Sequence, residues 1–281
     1  MSSTTSPAGV PTIEDRIAPT RRPPATSIMR QNWRSLLFLH WEVPVDVLRP
    51  LVPAQLSIDT FEGRAYIGVT PFVVRDARPR LLPAVPGLSD FNELNVRTYV
   101  HYGGRDPGVW FFSLDASNLP AVLAARATFR LPYCHADMEV VARSTRPQYR
   151  SERKRFGRTP ATFEASARLG EHLGSAQLGT LEHFFIERYL LYTRWVPGEM
   201  LVGQVHHRPY PLQRAEVEHV SYESLLRADG LPPPAEAPSE QPHVLFSPGV
   251  DVEVFPLRAP GSSTTYKGGQ GTGSWPWRPW R

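Results

Sequence analysis

Apolar and polar positions alternate with a period of two over several stretches of this chain, the signature of strands with one buried face. The clearest is 92–102, where Glu93, Asn95, Arg97 and Tyr99 alternate with Leu94, Val96, Thr98 and Val100. That pattern predicts a strand with its polar set on one face. Gly103 and Gly104 supply a turn, and 109–115 is predicted to return as an antiparallel partner. The apolar run 35–41 predicts a buried strand, and a short helix over 45–52 is bounded by Pro44 and Pro53. Segments 56–61 and 65–74 read as a hairpin turning at Glu62-Gly63, followed by a long Pro-rich loop over 76–90.

Further on, 119–129 is a predicted helix, and strands are predicted at 137–143 and 161–169. The arginine-rich stretch between them, 143–158, reads as exposed. A helix over 181–189 precedes strands at 192–196, 201–207 and 215–220. A short helix near 222–228 and a last strand at 250–257 complete the set. Many short strands with few helices indicate an α+β, β-rich class.

Composition sharpens this. Thirty prolines spread along 281 residues disfavour long helices. Residues 1–28, rich in Ser, Thr, Pro and Arg, read as a disordered arm, and 259–281 as a disordered Gly/Ser and Trp/Arg tail. The domain is expected over 29–258. The net charge of +4 resides in these ends, the central region being neutral, so a basic face for nucleic acid is not expected. Cys134 is the only cysteine, which excludes an intrachain disulfide and suits a reducing compartment. No apolar run is long enough to span a bilayer and no signal peptide is evident, so the cytoplasm is the expected location.

Several blocks resemble one bacterial family, the YqjF-like proteins of the acetoacetate-decarboxylase-like superfamily. They are Leu37-Phe38-Leu39-His40-Trp41, Leu48-Arg49-Pro50-Leu51-Val52-Pro53, and Ala65-Tyr66-Ile67-Gly68-Val69-Thr70-Pro71-Phe72. Glu93-Leu94-Asn95-Val96-Arg97 leads into Trp110-Phe111-Phe112-Ser113-Leu114-Asp115, and Leu131-Pro132-Tyr133 with His135 and Glu182-His183-Phe184 follow. The resemblance spans roughly 30–258. It implies a mostly antiparallel, cone-shaped β-barrel with a few flanking helices and an internal cavity.

Decarboxylases of that superfamily form a Schiff base on a lysine that follows a proline. Such an amine must be neutral near pH 7, which requires desolvation or a neighbouring cation. Only two lysines exist here, Lys154 within an arginine run and Lys267 in the tail. Tyr133 and Cys134 stand at the places where the resemblance puts lysines, so Schiff-base decarboxylation is not expected.

The resemblance makes Glu93 the counterpart of a pocket glutamate, and a buried carboxylate can serve as a general acid or base. Arg97 has the same parity and can pair with Glu93 or clamp a substrate carboxylate. Tyr133 and His135 are candidates to polarise a carbonyl, completing a catalytic set of Glu93, Arg97, Tyr133 and His135 with Glu93 as base. His40, Asn95 and Asp115 are candidate substrate contacts. Each has a plainer alternative: an ion pair for Glu93 and Arg97, packing for Tyr133, a turn cap for His135, a satisfied core histidine for His40.

Cys134 lacks a cationic neighbour in sequence that would activate it. His183 and Glu187 are spaced for one helical face, but without an HExxH pattern no metal is expected, nor any cofactor. The function expected is acid/base chemistry on a small carbonyl or carboxylate compound without a Schiff base. The alternative is non-catalytic binding of an apolar or aromatic molecule. Self-association is open, and the Trp/Arg cluster at 275–281 suggests weak peripheral membrane contact.

Overall fold

The computed structural model describes residues 9–142, 145–154, 159–195, 198–232 and 241–262. In chain order the elements are α1 (Ile13–Ile17), β1 (Met29–Val43), α2 (Val45–Leu48), β2 (Ser57–Ile58), β3 (Ala65–Pro79), β4 (Phe91–Tyr102) and β5 (Arg105–Ala116). Then come α3 (Leu119–Thr128), β6 (Tyr133–Val141), β7 (Gln148–Arg153), β8 (Ala161–Gly174) and α4 (Leu181–Ile186). The chain continues through β9 (Leu190–Trp195), β10 (Glu199–His206), β11 (Leu212–Ser221), α5 (Glu223–Ala228) and β12 (His243–Val254).

The strands form one sheet in the order β10-β9-β5-β6-β7-β8-β11-β12-β1-β3-β4-β2. Extra pairings of β4 with β5 and of β10 with β12 bring the ladder back onto itself. Most pairs are antiparallel; β5 runs parallel to β6 and β9. No helix among the described residues is long and apolar enough to cross a membrane.

Strand parity sorts the side chains into two hydrophobic layers, because successive residues point to opposite faces. Leu37, Leu39, Trp41, Ile67, Val69, Leu94 and Val96 belong to one layer, together with Leu225 and Leu226 of α5. Leu36, Phe38, Tyr66, Phe72, Val74 and Tyr99 belong to the other, with Phe184, Phe185 and Ile186 of α4 and Val122 of α3. α4 is a single stiff turn and a half, begun by Thr180, whose hydroxyl accepts from the His183 N–H.

Four expectations need correction. The turn at Glu62-Gly63 forms, closed by the Phe61–Arg64 bridge, but β2 pairs with β4 and not with β3. The arginine run contains a strand, β7, whose Tyr149, Ser151 and Arg153 face inward. The last strand starts at His243, well before residue 250. Finally, residues 9–28 are ordered against the domain. Thr12 and Asp15 form a capping box for α1, and Arg16 makes two 2.8 Å bonds to the fully buried Asp59. Arg188 holds the same carboxylate at 2.7 Å. Burial alone would raise the Asp59 pKa, but Arg188 and Arg16 hold it below its ordinary value. Composition suggested disorder there because the segment has few apolar residues; the ion pairs of Arg16 with Asp59 and Arg22 with Glu253, together with buried Pro11, Pro19 and Pro23, fix it to the sheet. Residues 1–8 and the tail from 263 onward, including the cluster at 275–281, lie outside the described residues.

Candidate functional site

β4 carries the polar set, and its register with β3 and β5 decides what surrounds it. Glu93 lies opposite Phe72, Asn95 opposite Thr70, and Arg97 opposite Gly68. On the other flank Glu93 is level with Ala116 of β5, which is level with His135 of β6. Tyr133, two residues earlier on β6, reaches back so that its hydroxyl donates to Glu93 Oε2 at 3.0 Å.

Glu93 is 6% exposed, and burial pushes its pKa up to about 8, against the opposing effect of the Tyr133 hydrogen bond. No salt bridge joins it to Arg97. Near neutral pH the carboxyl is therefore mostly protonated, an acid rather than the base expected from sequence. Burial and the adjacent Glu93 push the Tyr133 phenol well above its ordinary value, so it stays protonated as well. His135 is half-buried on the same face, yet no hydrogen bond links its ring to Glu93 or Tyr133.

The same face holds a row of unsatisfied polar atoms. Buried atoms without a hydrogen-bond partner include both ring nitrogens of His40, Thr70 Oγ1, Asn95 Oδ1, Arg97 Nε and His243 Nδ1. These residues sit on four adjacent strands, β12, β1, β3 and β4, with His40 opposite His243 and also opposite Gly68. Buried polar groups in folded proteins are nearly always paired, so six unpaired atoms in one row single out this face as the candidate site. Arg97 has one long bond, 3.4 Å from Nη2 to the Phe185 carbonyl, and no carboxylate partner. His40 is 2% exposed and stacks on Phe185, with ring centroids 3.9 Å apart and 6° between planes.

Asp115 departs from expectation. It is level with Leu94, so it faces the opposite layer and cannot line this row. There Arg153 donates from Nε to Asp115 at 2.7 Å, from Nη1 to Asp229 at 2.9 Å and from Nη2 to Ser113 at 2.7 Å. All three charged side chains are at most 1% exposed. Burial pushes Asp115 up to about 6 in spite of Arg153. Cys134, on the same face and buried, belongs to this cluster. Glu187 likewise lies beyond the end of α4, so it does not share a helical face with His183. Its carboxylate accepts from the Tyr189 hydroxyl and the Tyr210 N–H. Among the described residues no group of three or more His, Cys, Asp or Glu is arranged to hold a metal.

Two surface depressions, of about 290 and 420 Å³, lie over β6 to β8 and beside α2. Neither includes a residue of the polar row. Lys154 is at the surface, paired with Asp137 at 2.7 Å and Glu152 at 3.1 Å. The bonds to Asp137 and Glu152 raise its pKa, the opposite of what an imine-forming amine needs.

Residues 30–251 match the DUF2071 family, described as "Uncharacterized conserved protein (COG2071)". The chain belongs to that family. It is 41% identical over 231 residues to "Uncharacterized protein YqjF" of Bacillus subtilis (strain 168), covering 82% of this chain and 92% of that protein. Similar solved structures include the enduracididine biosynthesis enzyme MppR complexed with pyruvate, with a TM-score of 0.55 and 13% identity over 84% of this chain and 91% of that one. Acetoacetate decarboxylase from Legionella pneumophila subsp. pneumophila str. Philadelphia 1 gives 0.53 and 12%, covering 92% and 98%. These likenesses establish a mostly β fold of the acetoacetate-decarboxylase type for this DUF2071 chain.

Sequence reasoning missed Gly68, Thr70 and His243. Thr70 was the one with a local signal, a hydroxyl amid an apolar strand at the parity of Tyr66 and Phe72. Gly68 and His243 acquire meaning only through pairing across strands.

Proposed function

We propose that this protein binds a small carbonyl-bearing carboxylate within the closed, barrel-like circuit of strands and acts on it by proton transfer, without a Schiff base. The observation that carries this reading is the row of six unpartnered buried polar atoms running up to a protonated Glu93–Tyr133 pair. Arg97, with no carboxylate of its own, clamps the ligand carboxylate. The Glu93 carboxyl and the Tyr133 phenol polarise the carbonyl, and Thr70 and Asn95 meet the intervening polar groups. Polarising a carbonyl lowers the cost of forming an enol at the adjacent carbon: Glu93 gives its proton to the carbonyl oxygen, water takes one from that carbon, and solvent reprotonates Glu93. Pyruvate, bound by the fold relative MppR, is a suitable probe.

The test is exchange of the pyruvate methyl protons for deuterium, followed by proton NMR with the full chain. Exchange well above the buffer rate is expected. Binding without any exchange favours the second reading, a non-catalytic binding protein, which the aromatic neighbours Phe38, Phe72, Phe184 and Phe185 support. No adduct should form when borohydride is added with pyruvate, as judged by the intact mass. A stable mass increase would sink the claim that imines play no part.

A further inference from the structure

His40, Gly68 and Arg97 lie level on three successive strands, β1, β3 and β4. Gly68 has no side chain, which lets the His40 ring and the Tyr99 hydroxyl lie close over its backbone. A Cβ there would sit 3.1 Å from His40 Cδ2, 3.2 Å from its Nε2 and 3.2 Å from the Tyr99 hydroxyl. Phe185 closes the arrangement from α4. Its ring stacks on His40, and its carbonyl accepts from Tyr99 at 3.3 Å and from Arg97 at 3.4 Å.

The groups facing His40 are Arg97 and Tyr99 from β4, and His243 from β12 at a centroid distance of 6.3 Å. Glu182 of α4 lies beyond, bonded to His243 Nε2 at 3.4 Å. No carboxylate contacts His40 itself. Burial first, then Arg97 and His243, keep its pKa well below the ordinary value, so the imidazole is neutral. A neutral imidazole still has one N–H donor and one bare nitrogen, and here both are buried and unsatisfied.

We propose that His40 and Arg97 form one subsite for a small carboxylate, and that the anion enters with a proton that settles on His40. The bare ring nitrogen takes the proton from solvent, the imidazolium and Arg97 Nε then both donate to the carboxylate, and the proton taken up cancels the anion, so the net charge is unchanged. The anion offsets the Arg97 charge that disfavours a proton on His40 and pairs directly with the imidazolium. Affinity consequently falls as pH rises. This inference rests on the reading above, because it concerns the same ligand's carboxylate.

Calorimetric titration of the full chain with formate, an anion without a carbonyl, tests it. Running the titration at pH 7 in phosphate and in Tris gives the protons taken up per anion bound. Uptake of about one proton is expected for the wild-type protein and for Glu93→Gln, the latter excluding Glu93 as the acceptor. His40→Gln should lose the uptake and bind about tenfold more weakly. Imidazole 15N shifts of His40 in the wild-type protein, which do not depend on the variant folding, should move from neutral to imidazolium values as formate is added.

Formate binding with no proton uptake, or with neutral 15N shifts throughout, overturns the proposal. If pyruvate exchange remains intact in that case, the reading of Glu93 and Tyr133 survives. No binding of either anion overturns both.

Discussion

Arg153→Met should destabilise the protein by about 3–5 kcal/mol, the range seen when one partner of a buried ion pair is removed. The guanidinium is fully buried between Asp115 and Asp229 and also donates to Ser113, so methionine leaves two carboxylates facing each other in an apolar layer. The loss should depend on pH with a defined sign. Asp115 is raised to about 6 in the folded protein from an ordinary 3.8, so its stabilising effect is complete below about 4 and disappears as pH rises through 6. Without Arg153 the Asp115 carboxyl shifts further upward, and the deficit at pH 8 should exceed that at pH 5. Urea unfolding followed by tryptophan fluorescence at both pH values is the check. Adding Asp115→Asn and Asp229→Asn should recover part of the loss. A stability change under 1 kcal/mol in Arg153→Met would show that the buried ion cluster contributes little to folding.

The second large effect belongs to Glu93. Glu93→Gln keeps an acceptor for the Tyr133 hydroxyl but removes the transferable proton, so pyruvate exchange should fall by about 10²-fold or more, the usual contribution of a general acid or base. Stability should move the other way at alkaline pH. The folded pKa of about 8 lies above the ordinary 4.5, so Glu93 favours folding fully below 4.5, and that contribution is lost progressively as pH rises through 8. The shift corresponds to roughly 5 kcal/mol at most. Glutamine mimics the protonated form at every pH, so the variant should gain on wild type between pH 5 and pH 9. Parallel stability curves for the two proteins over that range would mean that Glu93 is already ionised, and the acid role would fail with it.

The elements most legible in sequence were those with strict alternation. Residues 92–102 read correctly as a strand because Leu94, Val96 and Val100 must be buried on one side and the polar set follows by parity. The arginine run failed for a physical reason. A string of charges ordinarily faces water, and nothing local distinguishes Arg153 from Arg150. What separates them is Asp115 and Asp229, 38 and 76 residues away, which make burial of one guanidinium tolerable. Asp115 was misplaced for a related reason. Its parity relative to Glu93 depends on the β4–β5 register, and a shift of one residue changes the face.

The sequence by itself determined the alternating strands, the short helices between prolines, the family blocks and the lack of a well-placed lysine, because these depend on residue type and local spacing. Only the tertiary structure decided that Tyr133 reaches Glu93 across β5, that Arg97 stands without a carboxylate, and that His40 packs closely over Gly68. Those facts depend on which strands lie side by side and in what register. Burial in that arrangement then sets whether each titratable group keeps its proton, and local spacing carries no record of it.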